Sequence, residues 1–184
     1  MKQDFKGSQN KAMERRNRFE LFRTWGPRLL AGALAGMLAS IPMAGVMDGL
    51  NRILPTQKRS WLDRLRPLPP KQITASMLGR RVRQGRKWDA PTWAGHLGYG
   101  AATASLYPVL TRPLPLPDIL RGMLFATIIW AGSYLGWLPA FNIMPSAVKD
   151  TPRRNAVMIL SHLVWGALTG LLAGKTMNLM KGER

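Results

Sequence analysis

Four stretches without a charged side chain constrain this chain more than any other feature. They lie between Arg28 and Asp48, Asp89 and Arg112, Arg121 and Lys149, and Arg154 and Lys175, and contain 19, 22, 27 and 20 residues. A helix needs about 20 mostly apolar residues to cross a hydrocarbon core roughly 30 Å thick. Inside that core it must also satisfy its own backbone hydrogen bonds, which an isolated strand cannot do. The expected fold is therefore all-α, a polytopic membrane four-helix bundle with spans at about 29–47, 92–110, 119–138 and 155–174.

Average composition hides this pattern. Mean hydropathy is −0.09, yet 19 of the 27 Lys and Arg residues fall in 1–28 and 51–90, outside the apolar blocks. A net charge of +18 interleaved with spans points to anionic lipid headgroups as the negative partner, and not to nucleic acid. The absence of cysteine excludes disulfides, thiolate metal sites and cysteine nucleophiles. No segment between spans is long enough to bury a soluble core, so one membrane domain is expected. It would occupy 29–175, carry a basic, Pro-rich loop at 51–90, and be flanked by a basic, partly disordered or interfacial segment at 1–28 and a short tail at 176–184. The late start of the first block, without a small-x-small cleavage site, reads as a retained anchor.

Small residues mark the contact faces. Gly32, Gly36 and Ser40 recur every four residues in the first span, Gly132 and Gly136 do so in the third, and Gly166, Gly170 and Gly174 in the fourth. Such stripes let helix backbones approach closely in lipid. Pro42 is expected to kink the end of the first helix. Met13 to Trp25, with Phe19, Phe22 and Trp25 among charged neighbours, reads either as a helix in the headgroup plane or as a solvated lead-in. The run Arg80, Arg81, Arg83, Arg86 and Lys87 reads as a loop facing lipid or partner. Lys and Arg split 13 against 14 between the two sides, so the charge rule leaves orientation open, and a re-entrant or interfacial first span is the alternative that would relieve this balance.

Residues 96–106 (HLGYGAATASL) and 162–172 (HLVWGALTGLL) share six of eleven positions, with Tyr99 and Trp165 both aromatic. The simplest account is a duplicated helical hairpin. His96 and His162 are the only histidines, each inside an expected span. Three readings compete. Each neutral imidazole could bond a neighbouring helix through Thr103, Thr169, Ser161 or a backbone carbonyl. The pair could ligate a haem or chlorophyll-type ring, with Gly100 and Gly166 leaving it room. Or protonation of the pair could alter packing. No span holds a deep carboxylate, and no Ser/His/Asp set, phosphate loop or metal-spaced cluster is present, so an enzyme is not expected.

The small-residue first span ending in Pro42-Met43-Ala44 resembles the start of the YagU-like family of small bacterial inner-membrane proteins. So do His-Leu-x-aromatic-Gly at 96–100 and 162–166, and Leu138-Pro139 followed by Pro145. The resemblance covers roughly 28–175, and implies a small multi-pass membrane fold with an association with acid tolerance. The basic amino terminus and first loop are additions to that pattern. The expected function is that of a non-enzymatic accessory subunit packing against other membrane subunits or against itself. The alternatives are a haem- or (bacterio)chlorophyll-binding protein using His96 and His162, or a small pH-responsive channel or transporter.

Overall fold

The computed structural model describes residues 2–54, 67–79, 88–111 and 113–182, with residues 2–12 and 181 described through their backbone alone. Every regular element among them is helical: α1 (Lys2–Ile53), α2 (Pro69–Met77), α3 (Ala90–Ser105), α4 (Tyr107–Leu110), α5 (Asp118–Ala131), α6 (Leu138–Ala140) and α7 (Pro152–Gly182). A π-helical segment, Gly132–Trp137, joins α5 to α6, and a short 3-10 turn covers Ala147–Lys149. Three helical stretches are long and apolar enough to cross a membrane: Met13–Ile53, Asp118–Ala140 and Pro152–Met180.

Several sequence expectations are corrected here. The first span is part of a 52-residue helix that runs through Pro27 and Pro42 without interruption. At about 1.5 Å per residue it is roughly 78 Å long, more than twice the apolar thickness of a bilayer. The amino-terminal residues expected to lack structure therefore begin α1, and a first span that turns back within the bilayer is not what this helix does. The second expected span is broken at Leu106, between α3 and α4. Pro108 explains the break: it has no N–H, and its ring would press on the Ala104 carbonyl of a continuous helix. The loop expected over 51–90 contains α2, and most of the expected tail belongs to α7. The basic run from Arg80 to Lys87 lies outside the described residues.

α1 packs against both α3 and α7, and α5 packs against α7, while α3 and α5 share no comparable interface. Glycine permits these crossings. A methyl group on Gly36 would collide with the Gly100 carbonyl and the Ala104 side chain, and one on Gly32 with the Ala104 carbonyl. On the other pair, Gly122 and Gly166 each face the other's carbonyl, Gly170 faces the Asp118 carbonyl, and Gly174 faces the Asp118 carboxylate. Close contact of this kind replaces the hydrophobic drive that lipid cannot supply.

The stripe expected at Gly132 and Gly136 is not a contact face among the described residues, because none of their atoms outside the local helix lies within 4 Å of a Cβ at either position. Gly122 takes that role in α5. Gly132 and Gly136 instead lie in the π-helical segment just before Pro139. Pro139 cannot donate to Leu135, and its ring would crowd that carbonyl, so a wider turn ahead of it relieves the clash.

Aromatic side chains fill the half of the bundle near the α3–α4 break. Tyr107 and Phe125 meet edge to face at 5.5 Å, and Phe125 stacks on Trp165 at 6.1 Å. The opposite end is latched by arginines at the start of α7. Arg153 donates to the Leu54 carbonyl (3.1 Å) and to that of Asn51 at the end of α1. Arg154 pairs with Asp150 at 3.2 Å and donates to the Pro67 carbonyl and Gln72 Oε1, both at 3.1 Å, which ties α2 to α7.

Asp89 caps α3, accepting from the Thr92 hydroxyl and from the Thr92 N–H at 3.0 Å. These bonds, the hydroxyl first, hold its carboxyl below the ordinary 3.8. A depressed carboxyl stabilises the fold above its unfolded pKa, and this contribution is lost as pH falls through the lowered value. Asp89→Ala is expected to lower the melting temperature at neutral pH. The difference from wild type should shrink when both proteins are melted below the depressed pKa.

Candidate functional site

A cavity of about 400 Å³ lies in the latched half of the bundle, lined by α1, α2, α3, α7 and the α5–π segment. It sits where α3 and α5 fail to close on each other. Met43, Met47, Ile73, Ile129, Leu138 and Trp165 supply much of its apolar wall. On α3 the wall is a run of small residues, Ala94, Gly98 and Ala102, all exposed, so the cavity opens beside this helix. Both histidines line it.

Geometry assigns the hydrogen atoms. A carbonyl only accepts, so the imidazole nitrogen facing one must carry the proton. His96 Nε2 lies 3.2 Å from the Ser40 carbonyl of α1, and His162 Nδ1 lies 2.7 Å from the Met158 carbonyl one turn back on α7. In the neutral rings the remaining nitrogens, Nδ1 of His96 and Nε2 of His162, are bare acceptors. His96 also rests against Trp88, with ring centroids 5.1 Å apart, and His162 meets Tyr134 edge to face at 5.9 Å. Of the partners expected for the imidazoles, backbone carbonyls are the ones used.

The other donors around the cavity are engaged by the protein itself. Ser133 Oγ donates to the Ile129 carbonyl (2.7 Å), which leaves Tyr99 to donate to Ser133 Oγ (2.7 Å). This is a direct side-chain bridge between α3 and the π-helical segment. Trp165 Nε1 (2.9 Å) and Ser40 Oγ (2.8 Å) both donate to the Gly36 carbonyl. Thr74 and Thr103 donate to the Pro70 and Tyr99 carbonyls at 2.8 Å, and Tyr134 reaches Met158 Sδ at 3.3 Å. Among lining side chains only the Trp137 N–H has no acceptor within the described residues. The cavity is thus apolar, rich in acceptors and poor in free donors.

The space expected for a flat ring beside Gly100 and Gly166 is not there. Ser40 Oγ and the Gly36 carbonyl occupy the first position, and the Gly122 carbonyl and Ala126 side chain occupy the second. Glycine at these positions admits a neighbouring helix and leaves nothing for a macrocycle. The other small residues of the stripes, Gly32, Ser40, Gly170 and Gly174, likewise serve contacts between helices. Tyr99, Ser133, Tyr134 and Trp137 were not anticipated as site residues. The one sequence signal near them was the aromatic position shared by Tyr99 and Trp165. Among the described residues no group of three or more His, Cys, Asp or Glu side chains could hold a metal ion.

No family model, curated protein or solved structure matches the chain.

Proposed function

We propose that this chain is a non-enzymatic, multi-pass protein of the bacterial inner membrane that works by binding, taking a membrane-soluble ligand into the cavity between α3 and α5. The observation that carries the reading is a break in internal symmetry. Two copies of one hairpin, α1 with α3–α4 and α5 with α7, make a four-helix bundle in this account. Matched contacts support the duplication: Gly100 and Gly166, each four residues after a histidine, meet Gly36 and Gly122. Tyr99 and Trp165 then each reach the first helix of the other copy, at Ser133 and at the Gly36 carbonyl. A two-fold axis along the membrane normal would pair the α1–α7 interface with an α3–α5 interface. The first is closed and the second holds the cavity. A half-open, mostly apolar pocket with a few convergent polar groups is the usual form of a small-molecule site. Kinship with the YagU-like family, which the sequence resembles, is part of this same proposal.

Purified protein tests it. Native mass spectrometry from mild detergent should show a stoichiometric apolar adduct, recovered by organic extraction. Gly98→Phe should lose it while keeping the wild-type melting temperature, because Gly98 lines the cavity and nothing lies within 4 Å of its Cβ position. Identical adducts on wild type and Gly98→Phe would overturn the reading.

A second reading is favoured by Gly132 and Gly136, small residues at four-residue spacing that meet no neighbouring helix among the described residues. They suit an accessory subunit whose α5 face meets another membrane helix. Native spectra from undisrupted membranes would reveal that partner or a second copy.

A further inference from the structure

We infer that the cavity selects an amphiphile whose head carries a hydroxyl group, held by O–H donation to a bare imidazole nitrogen, that of His96 or of His162. The inference rests on the cavity being a ligand site, as proposed above, and adds the chemistry of the head. Two carbonyls, Ser40 on α1 and Met158 on α7, lock the imidazoles into complementary tautomers, one protonated on Nε2 and the other on Nδ1. What each ring leaves exposed is a lone pair. The hydroxyls of Ser133, Tyr99, Thr74 and Thr103 and the Trp165 indole already donate to protein acceptors, so none of them is free to receive a ketone, ester or ether oxygen.

A ligand with only acceptors would leave both imidazole lone pairs unpaired and could use at most the Trp137 N–H. An alkane would leave two desolvated imidazole nitrogens unpaired, which costs free energy in an apolar site. A hydroxyl relieves this: its single proton pairs one imidazole nitrogen, and the two hydroxyls of a quinol can pair both. The apolar remainder suits the methionine and isoleucine wall, and the exposed Ala94–Gly98–Ala102 side of α3 gives it a path from the acyl-chain region. Two membrane sources share this head chemistry: long-chain alcohols and prenyl quinols.

Binding of defined probes to full-length protein in detergent, read by native mass spectrometry and by displacement of the co-purified adduct, decides the matter. The probes are hexadecanol, its methyl ether, hexadecane and a prenyl quinol. Wild type is expected to bind hexadecanol, the quinol or both at least about tenfold more tightly than the ether, the scale of one well-formed hydrogen bond. The ranking of the two names the source. At least one of His96→Phe and His162→Phe, and the double variant in any case, should weaken hexadecanol to the level of the ether. Equal binding of alcohol, quinol and ether would overturn the hydroxyl assignment while the cavity stays a ligand site. Failure of all four probes, with no adduct on wild type, would remove both. If a histidine variant does not fold, the wild-type comparison of alcohol with ether decides alone.

Discussion

Gly166→Val is expected to collapse the bundle. The Cβ of any residue there would strike the Gly122 carbonyl and the Ala126 side chain, and the obstacle is the backbone of a neighbouring helix. A flexible side chain can swing aside, whereas a backbone can yield only by moving the whole of α5. Overpacking a tight core ordinarily costs about 1–3 kcal/mol, and this site belongs at or above the upper figure, about 3 kcal/mol or more. The measurement is thermal melting by fluorescence-detected size exclusion in detergent, where the monodisperse peak should be lost at temperatures that leave wild type intact. Gly132→Ala is the paired comparison. Nothing lies within 4 Å of its Cβ position, so removing a helical glycine there should be neutral or stabilise by about 0.5–1 kcal/mol. A wild-type melting curve for Gly166→Val would mean that α5 and α7 do not cross as described.

Arg154→Leu is expected to have the next largest effect. Its side chain is 8% exposed and that of Asp150 5%, so the pair is withdrawn from solvent at the start of α7. Removing the guanidinium leaves the carboxylate in that site without it, a change that typically costs about 3–5 kcal/mol. It also removes the bonds that tie Pro67 and Gln72, and hence α2, to α7. Arg154→Leu combined with Asp150→Leu should recover a large part of the lost stability, because a buried pair replaced by apolar residues of similar size is often nearly neutral. Melting curves of both variants, recorded at low and high salt, separate this from a surface effect: a buried pair responds little to screening. Equal melting of the single and double variants would remove the ion pair from the account and leave only the tether to α2.

The apolar helices were legible because a bilayer imposes length and polarity directly on the chain, residue by residue. His96 and His162 head segments that share six of eleven positions, and this likeness is the sequence ground for the proposed duplication. Proline effects were read less well. Pro42, expected to kink the end of the first helix, lies inside a helix that continues to Ile53, while Pro108 is where the second span breaks. Both follow from the same missing N–H, and the packing around each decides whether the helix absorbs it. The glycine stripe of the third span was misplaced for a related reason. Gly132 and Gly136 have the four-residue spacing of a contact face, but the wider π turn before Pro139 changes which way a position points.

What the sequence by itself determined was the solvent: uncharged runs of helical length belong in hydrocarbon, and small residues inside them mark where helices can touch. The tertiary structure alone decided which small residues touch, which interface stays open, and which nitrogen of each histidine is bare. Those outcomes depend on how backbones cross, because a carbonyl from one helix selects the tautomer of a ring on another, as Ser40 does for His96. A pattern read along one helix contains no information about that crossing.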